Sequence, residues 1–446
     1  MINPTLSKSE GFITGLSAGR GKCWESNKNT ILKEGSMKTW RTLLIGLSVL
    51  IFMGSWSFRT QAASAPETIK VGAVVSLSGP FGSQGPEQRV GYQIGVDDVN
   101  KEGGIYVKEF GKRIPIELTV LDDESDPVKL VSRLETLNTI NKVVTYFGGF
   151  GSSMHAAGAA IAEKNKIPYF GIAFALYSIH QQGYKYLFSP FPKSPQQAVG
   201  HFDLLDSIPK NIRPQKIAIF ELEDDWGKEL SGFWRKEAEK RGYIIVCDKK
   251  HPLVCKDFSP LLIAAKSAGA EALLSLPTPA DSITLMKQMK QLDVNFKFII
   301  AMRAPPGDVW FKAMGEAGNY VILGGPGWHY NVPFPGAKEL ITKYEKMTGN
   351  PAEVMSSSVG NSYTCVQILA DAIKRAGTLD RAKIRDAITK TDMMTVQGRT
   401  TFNPDGTANM PFISVQYQHG KSELIGLPGP DTKPLLFPIP KWSERP

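Results

Sequence analysis

From residue 69 onward the chain alternates short apolar runs with stretches whose apolar residues recur at helical spacing. Residues 69–75, Ile-Lys-Val-Gly-Ala-Val-Val, read as an apolar strand. A Ser/Gly/Pro loop separates it from a helix on which Tyr92, Val96 and Val99 share a face. Residues 114–121 predict a second strand. In the helix after it Leu130, Leu134 and Leu137 fall at i, i+4 and i+7, and Asp126-Pro127 supplies a cap and a first-turn proline. A third strand at 143–147, an Ala-rich helix at about 153–164 and a fourth strand at 168–172 complete one run.

A Pro-rich connection at 189–195 interrupts the rhythm, which then restarts. Strands are expected at 216–220, 243–246, 272–276 and 296–301, and Leu230, Trp234 and Ala238 mark the first helix between them. This alternation gives right-handed βαβ units and parallel sheets. Two runs predict an α/β fold of two doubly wound lobes with parallel central sheets. The end of the chain differs: helices at about 337–348, 359–376 and 381–391 precede two short strands at 399–402 and 412–418. That tail cannot form a third compact domain, so it completes the first two. The chain must then cross between lobes more than once, which makes a hinge.

Composition changes the picture mainly at the amino terminus. The chain of 446 residues is 42% hydrophobic and 21% charged, ordinary for a globular protein, with a formal net charge of +9. Residues 1–65 hold eight Lys/Arg against three Asp/Glu, while the remainder has 44 basic and 40 acidic side chains and no Lys/Arg run. The basic surplus is largely that of a leader, which argues against a nucleic-acid partner. Met37-Lys38-Thr39-Trp40-Arg41 is a cationic start, 43–53 an apolar stretch, and Thr60-Gln61-Ala62-Ala63-Ser64-Ala65 a small-residue cleavage region. This is the secretory pattern: we expect 37–65 to be a signal peptide, 1–36 an upstream extension, and the mature chain to lie outside the cytoplasm. The uncharged stretch from 42 to 58 is at the short limit for spanning a bilayer, which leaves an uncleaved anchor open. Cys247 and Cys255 flank a short loop and could pair in an oxidising compartment, the alternative being two free thiols. Cys365 lies in a helical apolar run and reads as core.

Enzyme chemistry has no foothold in the motifs. The six histidines are scattered without a His-x3-His pair, no Gly-x-Ser-x-Gly occurs, and Gly420-Lys421-Ser422 lacks the upstream glycine of a phosphate loop. We expect no catalysis, no cofactor and no metal. Phe147-Gly148-Gly149-Phe150-Gly151-Ser152-Ser153 lies between a strand and a helix, where glycines let backbone approach a ligand and free helix N–H groups favour an anion. A helix cap with no ligand would use Ser152 equally well.

A series of segments, each weak alone, resembles the type I periplasmic solute-binding proteins of ABC transporters, in their branched-chain amino-acid branch. They are Ile69-Lys70-Val71-Gly72 with Ser76-Leu77-Ser78-Gly79-Pro80, then Val99-Asn100-Lys101-Glu102-Gly103-Gly104-Ile105, and Asp122-Asp123-Glu124-Ser125-Asp126-Pro127. Asp225-Trp226-Gly227, Lys256-Asp257-Phe258-Ser259-Pro260, Ala376-Gly377-Thr378, Phe402-Asn403-Pro404-Asp405-Gly406 and Gln416-Tyr417-Gln418-His419-Gly420-Lys421 follow in order. The resemblance covers 66–446. It implies crossovers near 190–193, 324–327 and 409–412, hence one lobe of 66–191 plus 326–409 and another of 192–325 plus 410–446. It also implies a monomer that closes over a small organic ligand, an amino acid or related carboxylate, and delivers it to an ABC permease. A receptor of the same fold that signals instead of transporting is the alternative.

On this resemblance the ligand's carboxylate meets Phe150, Ser152 and Ser153, and further contacts come from Ala173, Phe174 and Ala175, from Trp226 where the family often has Tyr, and from Pro277 and Thr278. Phe174 reads as either core or pocket wall. The chain departs from the pattern after 298–301. Branched-chain amino-acid binders place an acid there to pair with the ligand ammonium, but this sequence has Met302-Arg303. A buried ammonium without a carboxylate costs several kcal/mol. Either an acid such as Asp225 or Glu223 substitutes, or the ligand carries no amine; Arg303 would suit a carboxylate, the alternative being an arginine on the surface.

Overall fold

The computed structural model describes residues 64–305 and 307–445. The expected upstream extension (1–36) and nearly all of the expected signal segment (37–65) lie outside the described residues. Among those described, no helix is long and apolar enough to cross a membrane.

The first run contains β1 (Ile69–Val75), α1 (Gly85–Lys101), a hairpin of β2 (Ile105–Val107) and β3 (Lys112–Ile114), β4 (Ile116–Asp122), α2 (Pro127–Thr139), β5 (Thr145–Phe147), α3 (Ser152–Asn165), β6 (Tyr169–Phe170) and β7 (Leu187–Phe188). Strands β4-β1-β5-β6-β7 form one sheet, with every pairing parallel. The single strand expected at 114–121 is instead two. Pro115 separates them because it has no N–H to continue a ladder, and its carbonyl accepts from Ile69. Asp126 caps α2 as the spacing implies, accepting from the N–H groups of Val128 at 2.7 Å and Lys129 at 3.2 Å. Leu130, Leu134 and Leu137 are at most 1% exposed, and the packing of the last against β1 leaves Gly72 no room for a Cβ.

The second run follows with α4 (Ser194–Asp206), β8 (Lys216–Leu222), α5 (Asp225–Arg241), β9 (Ile244–His251), α6 (Ser259–Ser267), β10 (Ala272–Ser275), α7 (Pro279–Gln291), β11 (Phe298–Ala301), α8 (Gly307–Met314) and β12 (Ile322–Gly324). Next come α9 (Ala337–Thr348), α10 (Ser357–Ala376), α11 (Arg381–Ile388), a small sheet of β13 (Asp392–Thr395), β14 (Gly398–Phe402) and β15 (Ala408–Asn409), and finally β16 (Ser414–Gln418) and β17 (Lys421–Ile425). The second large sheet runs β17-β16-β12-β11-β10-β8-β9. Its core is parallel, but β16 pairs antiparallel to β12 and β17 antiparallel to β16, so the tail extends the sheet in the opposite sense. The chain thus leaves the first sheet after β7, packs α9 and α10 back against α1, and returns to the second sheet at β16.

Cys247 and Cys255 are free thiols, so the possible bridge between them is not formed. Both are buried in the apolar cluster of the second sheet, and Cys255 Sγ lies 3.4 Å from the Asp257 carbonyl it donates to. Cys365 is fully buried within α10.

Candidate functional site

The strand ends and crossovers line a partly open cleft with a cavity volume of about 100 Å³. Elements of both sheets line it.

On the first-sheet side the wall is the turn from β5 into α3. Phe150 and Ser152 line the cavity. The N-cap of α3 is Gly151 (φ 98°), with no side chain capping the helix, so Ser152 is not engaged as the cap. The glycines before it answer to the fold. A Cβ on Gly148 would sit 2.6 Å from Tyr169 Oη and 2.7 Å from His155 Nε2, and one on Gly149 would touch β1 backbone. His155 supports the turn from beneath, its Nδ1 2.7 Å from the Gly151 carbonyl. Burial pushes that imidazole down to about 3, helped by the nearby Lys193 charge.

Ala173, Phe174 and Ala175 continue the wall. Ala173 adopts φ 51°, an uncommon conformation for a residue with a Cβ, and its carbonyl accepts from Gly151 N–H at 3.2 Å. Phe174 is both wall and core: 2% exposed, it lines the cavity while stacking on His155 at 4.4 Å and His180 at 5.6 Å between centroids. The buried Lys193 ammonium stands 3.4 Å from the Phe174 centroid and donates to the Phe174 carbonyl at 2.7 Å and Ser189 Oγ at 2.6 Å. Burial holds the Lys193 pKa well below the usual lysine value.

The second-sheet side contributes Trp226, from the first turn of α5, with Met302 and Arg303 just beyond β11. Asp224 caps α5 by accepting from Gly227 N–H at 2.6 Å. The Arg303 guanidinium lies 4.0 Å from the Trp226 ring centroid, a cation–π contact. Burial lowers the Arg303 pKa to about 10, partly offset by Asp224, so it stays charged at neutral pH. Arg303 Nη1 and Trp226 Nε1 are buried donors without a hydrogen-bond partner among the described residues.

Three residues singled out from the sequence stand off the cavity. Ser153, one helical position past Ser152, is exposed. Thr278 is occupied as the N-cap of α7, accepting from Asp281 N–H at 3.2 Å, and Pro277 is buried behind it. The next residue, Pro279, reaches the cavity instead. Asp225 and Glu223 are exposed and line nothing there, and among the described residues no Asp or Glu lines the cavity at all. Sequence reasoning missed Gln84, Phe191, Gln197, Gly325, Ser358 and Asn361, which come from the crossovers and from the starts of α1, α4 and α10. The expected crossovers were the available signal, since a cleft between two lobes has its hinge as a wall.

A family model described as periplasmic binding protein matches residues 68–422. The chain belongs to this family. Among relatives of this periplasmic binding protein, Leu/Ile/Val-binding protein homolog 7 of Brucella abortus is 23% identical over 401 residues, covering 83% of this chain and 94% of the relative. A leucine-binding protein from Thermotoga maritima superposes with a TM-score of 0.71 at 22% identity, over 82% of this chain and 99% of that one. A solute-binding protein of an ABC transporter from Rhodopseudomonas palustris, in complex with benzoate, gives 0.68 at 16% identity, over 82% and 99%. These establish the two-lobed fold.

One contact of this binding protein ties elements of the two sheets together across the cleft. Glu229 of α5 accepts from the backbone N–H groups of Tyr177 at 2.6 Å and Ser178 at 2.8 Å, at the start of a 3-10 turn between β6 and β7. Among the described residues no three His, Cys, Asp or Glu side chains are grouped to hold a metal ion.

Proposed function

We propose that this chain is the extracytoplasmic substrate-binding component of an ABC importer, and that it captures a small organic carboxylate carrying no ammonium. The observation that carries the ligand class is the charge of the cavity: Arg303 lines it and, among the described residues, no carboxylate does. An α-amino acid would bury its ammonium beside a guanidinium with nothing to neutralise it, which costs several kcal/mol. An amine-free acid places its charge where Arg303 and the start of α3 favour it. The benzoate complex of the Rhodopseudomonas palustris protein supports the reading, since a protein of this fold takes such an acid.

The lobes are 66–191 with 326–409, and 192–325 with 410–446. Ligand meets the Ser152 and Phe174 wall first, and the Trp226 and Arg303 wall closes over it. Because both walls touch ligand only when closed, binding shifts the open–closed equilibrium. The closed form then docks on the permease, after export and removal of the leader.

A thermal-shift screen of the mature chain tests the ligand class. Short-chain and single-ring carboxylates are expected to raise the unfolding midpoint, by an amount set by ligand concentration over Kd. Stabilisation by leucine, isoleucine or valine, and not by their amine-free counterparts, would refute it.

A further inference from the structure

We propose that the ligand is a hydroxylated carboxylate, a compact acid that also carries an alcohol or phenol hydroxyl; this rests on the amine-free reading above and narrows it. The inference comes from three residues lining the cavity, each of which carries a buried polar atom with no partner among the described residues. Arg303 Nη1 and Trp226 Nε1 are donors, and Gln197 Oε1 is an acceptor. Trp226 is 4% exposed and Gln197 2%. Buried polar atoms are almost always hydrogen-bonded, so three orphans around one cavity describe what its occupant must present.

The two donors ask for acceptor oxygens, and the cation among them favours an anion. Gln197 asks for the opposite. Its amide Nε2 donates to the Gly325 carbonyl at 3.4 Å, which assigns the carbonyl oxygen as the unpaired end. That oxygen needs a donor. An ammonium would serve it, but a neutral amide cannot neutralise an ammonium, and the cavity adds a guanidinium instead of a carboxylate. A hydroxyl donates without bringing charge. Gln197 comes from the first turn of α4, immediately past the first crossover, and is anchored on Gly325 at the second. The proposed hydroxyl contact therefore lies at the hinge, and Gln197 is a specificity residue for it.

Matched acids differing only in the hydroxyl test this by calorimetric titration of the full mature protein: 4-methylvalerate against 2-hydroxy-4-methylvalerate, and benzoate against its monohydroxy isomers. In at least one pair the hydroxylated member is expected to bind about tenfold more tightly or better, because the unhydroxylated acid leaves Gln197 unpaired. Gln197→Met should collapse that ratio towards one. Arg303→Gln should weaken both members together. Equal affinities within every pair would overturn the proposal and leave the amine-free reading standing, with water then satisfying Gln197. Binding of leucine alone among these probes would overturn both. Should Gln197→Met fail to fold, the paired titrations on the unsubstituted chain decide.

Discussion

Lowering the pH from 7 to 5 should destabilise this protein steeply; burial lowers the pKa of five imidazoles, His251 among them, and the four most depressed set most of the effect. His155, His180, His201 and His329 are at most 5% exposed. Burial is the largest cause of depression in each, bringing the first two to about 3 and the others to about 4. Lys193 adds to the depression of both His155 and His180, while backbone carbonyl contacts oppose it at all four; His180 also faces Asp405. In the unfolded chain the same groups titrate near 6.5.

The sign follows from which state binds protons. A folded pKa below the unfolded one means stability is fully present above 6.5 and is lost as pH falls towards 3–4. At pH 5 each imidazole is almost fully protonated when unfolded and neutral when folded, a difference of about 2 kcal/mol per group. Four groups give on the order of 8 kcal/mol, a large share of the 5–15 kcal/mol typical of a native protein. The slope near pH 5.5 is about 5 kcal/mol per unit, since nearly four protons are taken up on unfolding. Aspartates with lowered pKa values, such as Asp122 and Asp206, act further down, as pH falls through the ordinary carboxylate range and below it. With an unfolding entropy of about 2 cal/mol/K per residue, the midpoint should fall by roughly 10 °C. Denaturant titrations and calorimetry at half-unit pH steps measure it. A stability that is flat between pH 7 and 5, or resonances of these four imidazoles titrating near 6.5 in the folded protein, would refute the reasoning.

Further expectations concern the site and the thiols. Trp226→Ala should weaken ligand binding at least about tenfold by removing the surface under Arg303, and should also cost about 3–5 kcal/mol of stability because Trp226 belongs to the core; unchanged affinity by titration calorimetry would take it out of the site. Glu229→Gln should leave the unfolding midpoint nearly unchanged but loosen the cross-cleft contact with Tyr177 and Ser178, lowering affinity by up to about tenfold; small-angle scattering should show a more extended ensemble, and identical profiles would deny Glu229 that role. Cys247, Cys255 and Cys365 are buried, and burial raises their pKa values, so a thiol reagent should react slowly with the native protein and, in a chain starting at residue 66 and so lacking Cys23, count three thiols after denaturation without reductant. A count of one would show that Cys247 and Cys255 pair after all.

The lobes were legible because each sits on local pattern. The Leu130, Leu134 and Leu137 stripe, the Asp126-Pro127 start and the apolar runs of the strands all act within one or two turns of chain, where spacing carries the information. Elements governed by longer-range pairing were not. The β2–β3 hairpin and the three-residue β12 have too few residues to show a period, and they form because a neighbouring strand completes their hydrogen bonds.

The site divides along the same line. Phe150, Ser152 and Phe174 follow strand ends and line the cavity, whereas Pro277 and Thr278, which also follow a strand, stand off it. Strand β10 ends at Ser275, and the cap of α7 claims the Thr278 hydroxyl before a ligand could. What gives the cavity its chemistry is a coincidence of distant residues. Gln197, Trp226 and Arg303 stand at the starts of two helices and just past the end of a strand, and none is unusual in its own segment. Their meaning lies in being left unpaired on one small volume with no carboxylate among its described walls, and only the folded arrangement expresses that. The Met302-Arg303 departure was the one trace of it in the sequence, because a missing counter-charge can be read at a single position, whereas the acceptor at Gln197 becomes an orphan only when Gly325 takes its amide from 128 residues away.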